Sequence, residues 1–315
     1  MDKTKNKKVS ALGALGLSIG TAIGWGSFVI TGSSLLSKAG PLGSTIGIFI
    51  GMLIMLVLAY NYHYMMNKYP DSNGGIYTYA KNTFGGDHAF LVAWFLIITY
   101  AAILWANVSS FSLFAEYIFG NTFKFGFHYS IGGYHVWLGE LLLSLFFLLA
   151  FAGLCLIKRN ITTSIQAGLV LLFVALIIAG FIVALVMHKG GIDTYKPDFA
   201  DDGTNEFTQI LGVVGMMPWA FIGFESISHS SKDFKFRHRN VFKIFAISIV
   251  VTAMIYILIC QLSISVFPEN YKDWYEYLTS SNSLTGLDAI PAFYVIHRYL
   301  GDFGLVMFVI ALLNM

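Results

Sequence analysis

The feature that most limits what this chain can fold into is a series of long segments without charge. Residues 161–187 run for 27 positions with no Asp, Glu, Lys or Arg. At about 1.5 Å of rise per residue, roughly 20 helical residues cross a hydrocarbon core of about 30 Å. Backbone N–H and C=O groups find no water there, so an apolar segment of this length must pair them within itself, as a helix. Only 11% of the residues are charged and 57% are hydrophobic, whereas a soluble domain is about a quarter charged. An ordinary water-soluble fold is excluded, and an all-α integral membrane protein is expected.

The apolar runs predict seven complete spans, over residues 9–36, 42–66, 89–119, 136–157, 161–187, 209–227 and 241–267. An eighth is expected from Phe303. It holds only 13 residues before Met315, about 20 Å of helix, so the chain is expected to stop inside a span. Lys3, Lys5, Lys7 and Lys8 precede a segment too long for the apolar stretch of a signal peptide, so the first span is expected to be retained.

Charge placement orients these spans. With a cytoplasmic N-terminus, the inner side collects those four lysines with Lys68, Lys81, Lys158, Arg159, Lys232, Lys235, Arg237, Arg239 and Lys243, 13 of the 19 basic residues. The outer side holds Lys38, Lys124, Lys189, Lys196, Lys272 and Arg298, with most of the acids, among them Asp193, Asp198, Asp201, Asp202, Glu206, Glu269, Asp273 and Glu276. This is the asymmetry of a multi-pass cell membrane protein with its N-terminus inside. The same rule accounts for the basic run from Lys232 to Lys243 without a nucleic-acid partner.

Two spans are interrupted. The first contains Gly20-Thr21-Ala22-Ile23-Gly24-Trp25-Gly26, and glycine costs a helix about 1 kcal/mol relative to alanine. Small residues also serve close helix packing, so this segment alone leaves both readings open. The sixth contains Gly212, Gly215, Pro218 and Gly223 around Trp219-Ala220-Phe221-Ile222. Interruptions at matching places in two halves point to a transporter site, because unwound backbone inside a bilayer is tolerated where it lines a cavity. Five spans per repeat pair the first with the sixth, and an odd number inverts the second repeat. Free N–H groups after the first break suit a carboxylate. Glu225 lies beside the second break and is a functional candidate at membrane depth. Glu116 and Glu140 sit toward span ends, within reach of the interface.

Cys155 and Cys260 lie in apolar runs and are read as packing residues. The eight histidines are scattered, with no His-x-x-x-His or Cys-x-x-Cys spacing. No metal, no cofactor and no enzymatic activity are expected.

These motifs resemble the amino acid-polyamine-organocation superfamily of amino acid permeases. The segment from Gly20 to Phe28 is similar to its broken first helix, and Trp219-Ala220-Phe221-Ile222-Gly223-Phe224-Glu225-Ser226 to its sixth. Pro70-Asp71-Ser72-Asn73-Gly74-Gly75-Ile76-Tyr77-Thr78-Tyr79 looks like its Pro-x-x-x-Gly-Gly-x-Tyr-x-Tyr segment. The resemblance implies one transmembrane transporter domain over residues 1–315, with an inverted five-plus-five repeat. The first repeat is expected over about 9–187 and an incomplete second over about 209–315.

It further implies a secondary transporter for an amino acid or related small amine, working by alternating access as a proton symporter or exchanger. A receptor or scaffold that keeps the fold and binds an amino acid is the alternative. Ala22, Ile23, Gly24, Trp25 and Gly26 would then hold the substrate carboxylate, Trp219, Ala220 and Ile222 its amino group, and Thr21 would also contribute to substrate binding. Trp219 would act as a gate and Glu225 in proton coupling, since the fifth span offers Gln166 but no lysine. Trp25 departs from the small residue common in relatives and narrows the implied pocket.

Overall fold

In the computed structural model of the chain, residues 9–70, 72, 74–131, 134–156, 159–187, 195–200, 203–280 and 289–312 are described. Lys3, Lys5, Lys7, Lys8, Asp71, Asn73, Lys158, His188, Lys189, Asp193, Asp201 and Asp202 lie outside the described residues. Among the described residues seven helices are long and apolar enough to cross a membrane, with Ala11–Ala22 a shorter apolar helix.

Among the described residues the fold is helical apart from two short paired strands. In order it comprises α1 (Ala11–Ala22), α2 (Gly26–Ile30), a widened π-type segment (Thr31–Leu36), α3 (Ser37–Lys68), α4 (Gly75–Phe84), α5 (Gly86–Phe119), β1 (His128–Ile131) and β2 (Tyr134–Trp137). There follow α6 (Leu138–Cys155), α7 (Arg159–Met187), α8 (Glu206–Ala220), a 3-10 helix (Phe224–Asp233), α9 (Val241–Ile264), α10 (Trp274–Ser280) and α11 (Pro291–Leu312). These elements form two compact units, residues 74–162 and the rest of the chain.

Within the larger unit α3 packs along α8 and α9. Gly43, Gly47 and Gly51 place a small-residue stripe on α3, and the latter two face Val213 and Met217 of α8. Close backbone approach of this kind is how helices associate where no water is available to drive burial. At Gly16 an added Cβ would lie 2.6 Å from the Ala167 Cα, so α1 and α7 meet as closely. Val9 anchors the chain before α1 by pairing with the segment after the sixth span, its N–H donating to Asp233 O and its carbonyl accepting from Lys235 N, both at 2.9 Å.

The first and second spans join without a loop. The turn between them is made at Gly40, whose φ of 67° and ψ of −179° suit glycine almost alone. Pro41 then opens the straight part of α3, where its fixed φ and missing N–H cost nothing.

The smaller unit contains α4 to α6. The expected fourth span began at residue 136, but Val136 and Trp137 belong to β2, which pairs antiparallel with β1 from His128↔Trp137 to Ile131↔Tyr134. Glu140 accepts from its own helix start, at Trp137 N (3.0 Å), and Glu116 pairs with Lys124 at 2.7 Å. Both carboxylates therefore serve span ends. Residues 75–79 of the Pro-x-x-x-Gly-Gly-x-Tyr-x-Tyr segment form the start of α4, with Tyr79 buried.

The expected eighth span also changes. Helix starts at Pro291 and not at Phe303, then kinks at Gly301, where φ is 62° and ψ −165°. The Asp302 carboxylate meets His297 across that kink, 3.0 Å from Nε2. Cys260 is buried as expected, whereas Cys155 is exposed on α6.

Substituting Gly40 tests the joint between the first two spans. An added Cβ there would sit 2.6 Å from the Phe199 Cα in addition to the backbone strain of a left-handed φ. Gly40→Ala is expected to lower stability by about 1–3 kcal/mol, read as a lower thermal midpoint of the purified protein.

Candidate functional site

Both interrupted spans are discontinuous, each at a few residues that its composition only bracketed. In the first, α1 continues through Gly20, Thr21 and Ala22 and stops at Ile23, whose φ of −109° and ψ of 111° are extended. Gly24 and Trp25 complete the break, and α2 begins at Gly26. The glycine cluster therefore unwinds only in its second half, since Gly20 stays in the helix and is buried.

In the sixth, Pro218 does not break the helix. It sits inside α8, which continues to Ala220. The interruption is Phe221, Ile222 and Gly223, with Gly223 left-handed at φ 102°. A proline removes a single hydrogen bond, whereas a left-handed residue redirects the chain. The continuation is a 3-10 helix from Phe224.

The two breaks touch. The Thr21 hydroxyl makes a three-centre hydrogen bond to Leu17 O (2.7 Å) in its own helix and to Gly223 O (2.6 Å) in the other break. Ser226 Oγ lies 3.1 Å from the same hydroxyl. One turn earlier, Ser18 Oγ donates to Phe224 O at 3.0 Å. The Gly223 N–H donates to Glu225 Oε2 at 2.9 Å. The Gly223 carbonyl also accepts from the Ser226 N–H at 2.9 Å, so Thr21 is its second donor; a backbone group left unsatisfied inside a membrane costs several kcal/mol.

Other backbone groups stay open. Among the described residues the N–H groups of Gly24 and Gly26 donate to no backbone carbonyl, while Ile23 N reaches Ile19 O and Ser27 N reaches Gly24 O. Ala220 O likewise accepts no backbone N–H. Unpaired donors from one break and an unpaired acceptor from the other lie on segments already joined through Thr21. That pairing of opposite polarity suits a small zwitterion.

The ring of Trp219 reaches the first break, where a Cβ added at Gly26 would lie 2.6 Å from its Cη2. Only a glycine leaves the indole that position. Trp219 remains 53% exposed. Trp25 packs against Phe293 of α11, ring centroids 5.8 Å apart, and Phe293 in turn against Phe28 at 5.0 Å. Phe28 also meets Phe173 and Phe308, and all four phenylalanines are fully buried.

Of the residues anticipated at the site, Thr21, Ala22, Ile23, Gly24, Trp25 and Gly26 line the first break, and Trp219, Ala220, Ile222 and Glu225 flank or form the second. Thr21 bonds through its side chain to the opposite break and not only through its backbone. Ser18 and Ser226 were not anticipated. Their signal is a hydroxyl one helical turn from a break on each span. Ser18 also lies in Gly16-Leu17-Ser18-Ile19-Gly20, the spacing of a hydrolase nucleophile elbow, but it is inside α1 and bonded to a carbonyl, not exposed on a strand-to-helix turn. Among the described residues no three His, Cys, Asp or Glu side chains are grouped to hold a metal.

The family model of amino acid permeases matches residues 9–313. Among similar proteins, the branched-chain amino acid permease of Bacillus subtilis is 26% identical over 283 residues, 85% of this chain and 56% of that protein. The methylthioribose transporter of the same organism is 24% identical over 309 residues, 95% of this chain and 64% of its own length. The L-lysine transport protein of Corynebacterium glutamicum is 26% identical over 275 residues, 84% of this chain and 51% of that protein. The chain thus spans about half to two thirds of the relatives it matches.

Thr21→Val keeps the side-chain shape and removes the bridge between the breaks. The Gly223 carbonyl then loses a partner, and a stability loss of about 1–3 kcal/mol is expected. Thr21→Ser is expected to retain most of it, and thermal unfolding of the two variants side by side checks both outcomes.

Proposed function

This chain belongs to the amino acid permease family, and from that premise we propose that its paired breaks form the substrate site of a secondary amino acid transporter. The carrying observation is the junction of the two breaks through Thr21 Oγ1 and Gly223 O at 2.6 Å. It supports a site at which the N–H groups of Gly24 and Gly26 receive a carboxylate, those expected at Ala22 and Ile23 being held within α1 and on Ile19 O. Carbonyls of Trp219, Ala220 and Ile222 then receive the amino group. The relatives' names cover branched-chain amino acids, lysine and methylthioribose, so cargo follows from side chains around a shared backbone site.

In this reading the first repeat runs over about residues 9–187 and pairs with an inverted second from about 209. Trp219 gates the site, its ring leaning on Gly26 without a side chain to block it. Glu225 carries the proton response, because it is buried and bonded to the Gly223 N–H at the second break. Protonation at that oxygen would weaken its hold on Gly223 and so loosen the turn that presents its carbonyl to Thr21. The N-terminus faces the cytoplasm of the cell membrane. A cysteine replacing Lys8 is then expected to resist a membrane-impermeant maleimide in intact cells and one replacing Lys196 to react; the reverse pattern would invert the topology.

Proteoliposome uptake tests the transport reading in a preparation that also reports binding. Labelled amino acids are expected to accumulate, and saturable binding without flux would favour a receptor. For coupling, Glu225→Gln is expected to flatten the pH dependence of flux or exchange, and an unaltered profile would remove Glu225 from that role.

A further inference from the structure

We propose that His128 and His135, on the β1–β2 hairpin, bind a divalent transition-metal ion such as zinc. The site belongs to the smaller unit and does not depend on the two breaks.

In the sequence the two histidines stand seven positions apart, a spacing that carries no metal signature. The hairpin removes that separation. Its register sets His128 opposite Trp137 and Ser130 opposite His135. Side chains alternate across a strand, so these four share one face, while Tyr129, Ile131 and Val136 belong to the other. One face therefore collects two imidazoles, a hydroxyl and an indole.

His128 and His135 are diagonal neighbours on that face, a relation within reach of ring side chains. Their ring centroids lie 5.3 Å apart, with the planes at 84°. Two imidazoles that share one tetrahedral zinc ion, each through a nitrogen at about 2.0–2.1 Å, hold their ring centres roughly 5 Å apart. The hairpin thus keeps the pair at ligand spacing.

Both rings are anchored. His128 lies over Trp137, centroids 4.5 Å apart and planes at 36°, and Ser130 Oγ is 2.8 Å from His135 Nδ1. A metal-bound imidazole almost always has its other nitrogen held by such a partner, which fixes the tautomer and the direction of the ring. With Nδ1–H donated to Ser130, the lone pair of His135 Nε2 is the one left for an ion. Aromatic packing explains His128 on Trp137. It does not call for a second imidazole at right angles, tied back through Nδ1 to a hydroxyl.

Both histidines are exposed, so an ion reaches them directly. Imidazole suits zinc, copper and nickel, whereas magnesium and calcium take oxygen ligands. Among the described residues no third His, Cys, Asp or Glu joins the pair, so water completes the coordination. A bound ion would cross-link β1 to β2 in the connection between α5 and α6 and stabilise the folded hairpin by mass action.

The test uses the purified chain, without a histidine tag, in lipid nanodiscs. Zinc is titrated in competition with a chromogenic chelator, and thermal unfolding is followed in parallel. Zinc is expected to bind and to raise the thermal midpoint, and magnesium to do neither. His128→Gln and His135→Gln are each expected to lose at least about tenfold in zinc affinity, and Ser130→Ala about tenfold, as loss of an outer partner does. His297→Gln, which alters the exposed histidine of the α11 kink, is expected to keep it. All three hairpin side chains are exposed, so midpoints without metal are expected to match wild type, which separates a lost ligand from a lost fold. Absence of zinc binding in the wild-type chain, or unchanged affinity in both hairpin histidine variants, would overturn the site. Unchanged affinity in Ser130→Ala would remove the orienting role of that hydroxyl.

Discussion

The structure depends on one requirement: a membrane-embedded backbone that leaves its helix must find new partners for the groups it frees. Two spans of this chain do so at each other's expense. Gly223 turns left-handed and exposes its carbonyl, and Thr21 from the other span meets it. Its N–H is met by Glu225 two residues later. Ser18 reaches Phe224 O beside them. The first span thus supplies two hydroxyl donors to carbonyls of the second break, beside the partners that break finds in its own span at Glu225 and Ser226.

That mutual satisfaction is incomplete, and the incompleteness is where the chemistry lies. Thr21, Ser18 and Glu225 pair the groups that hold the spans together, while Gly24 and Gly26 keep N–H groups that meet no backbone carbonyl among the described residues. The small residue at Gly26 has a second use, admitting the Trp219 ring to the first break. Backbone polarity and aromatic enclosure thus come from the same few residues. A conformational change that separated the spans would have to break the Thr21–Gly223 contact, which ties the geometry of the two breaks to each other.

Much of this was legible from composition. Charge-free runs placed the spans, since no other arrangement keeps so many apolar residues and so few charges in one chain. Interruptions around Gly24 and around Gly223 were visible because glycine and proline weaken helices everywhere. Glu116 and Glu140 were read as span-end residues, and their bonds to Lys124 and to Trp137 N agree. Two cues were passed over: Pro291, a residue suited to opening a helix, and Gly132-Gly133, a dipeptide typical of hairpins, between the paired strands.

The sequence by itself determined that the chain is a multi-span helical membrane protein, that its first and sixth spans are weak points, and that its interior carries almost no charge. These follow from hydropathy and local helix propensity, which act residue by residue. Only the tertiary structure decided that Gly20 stays helical, that Pro218 lies within a helix while Gly223 ends it, and that Thr21, Ser18 and Ser226 join the two breaks. The last of these depends on partners some 200 positions away. A helix gives up its last turn where a neighbouring segment offers its freed groups a better bond, and local composition does not contain that neighbour.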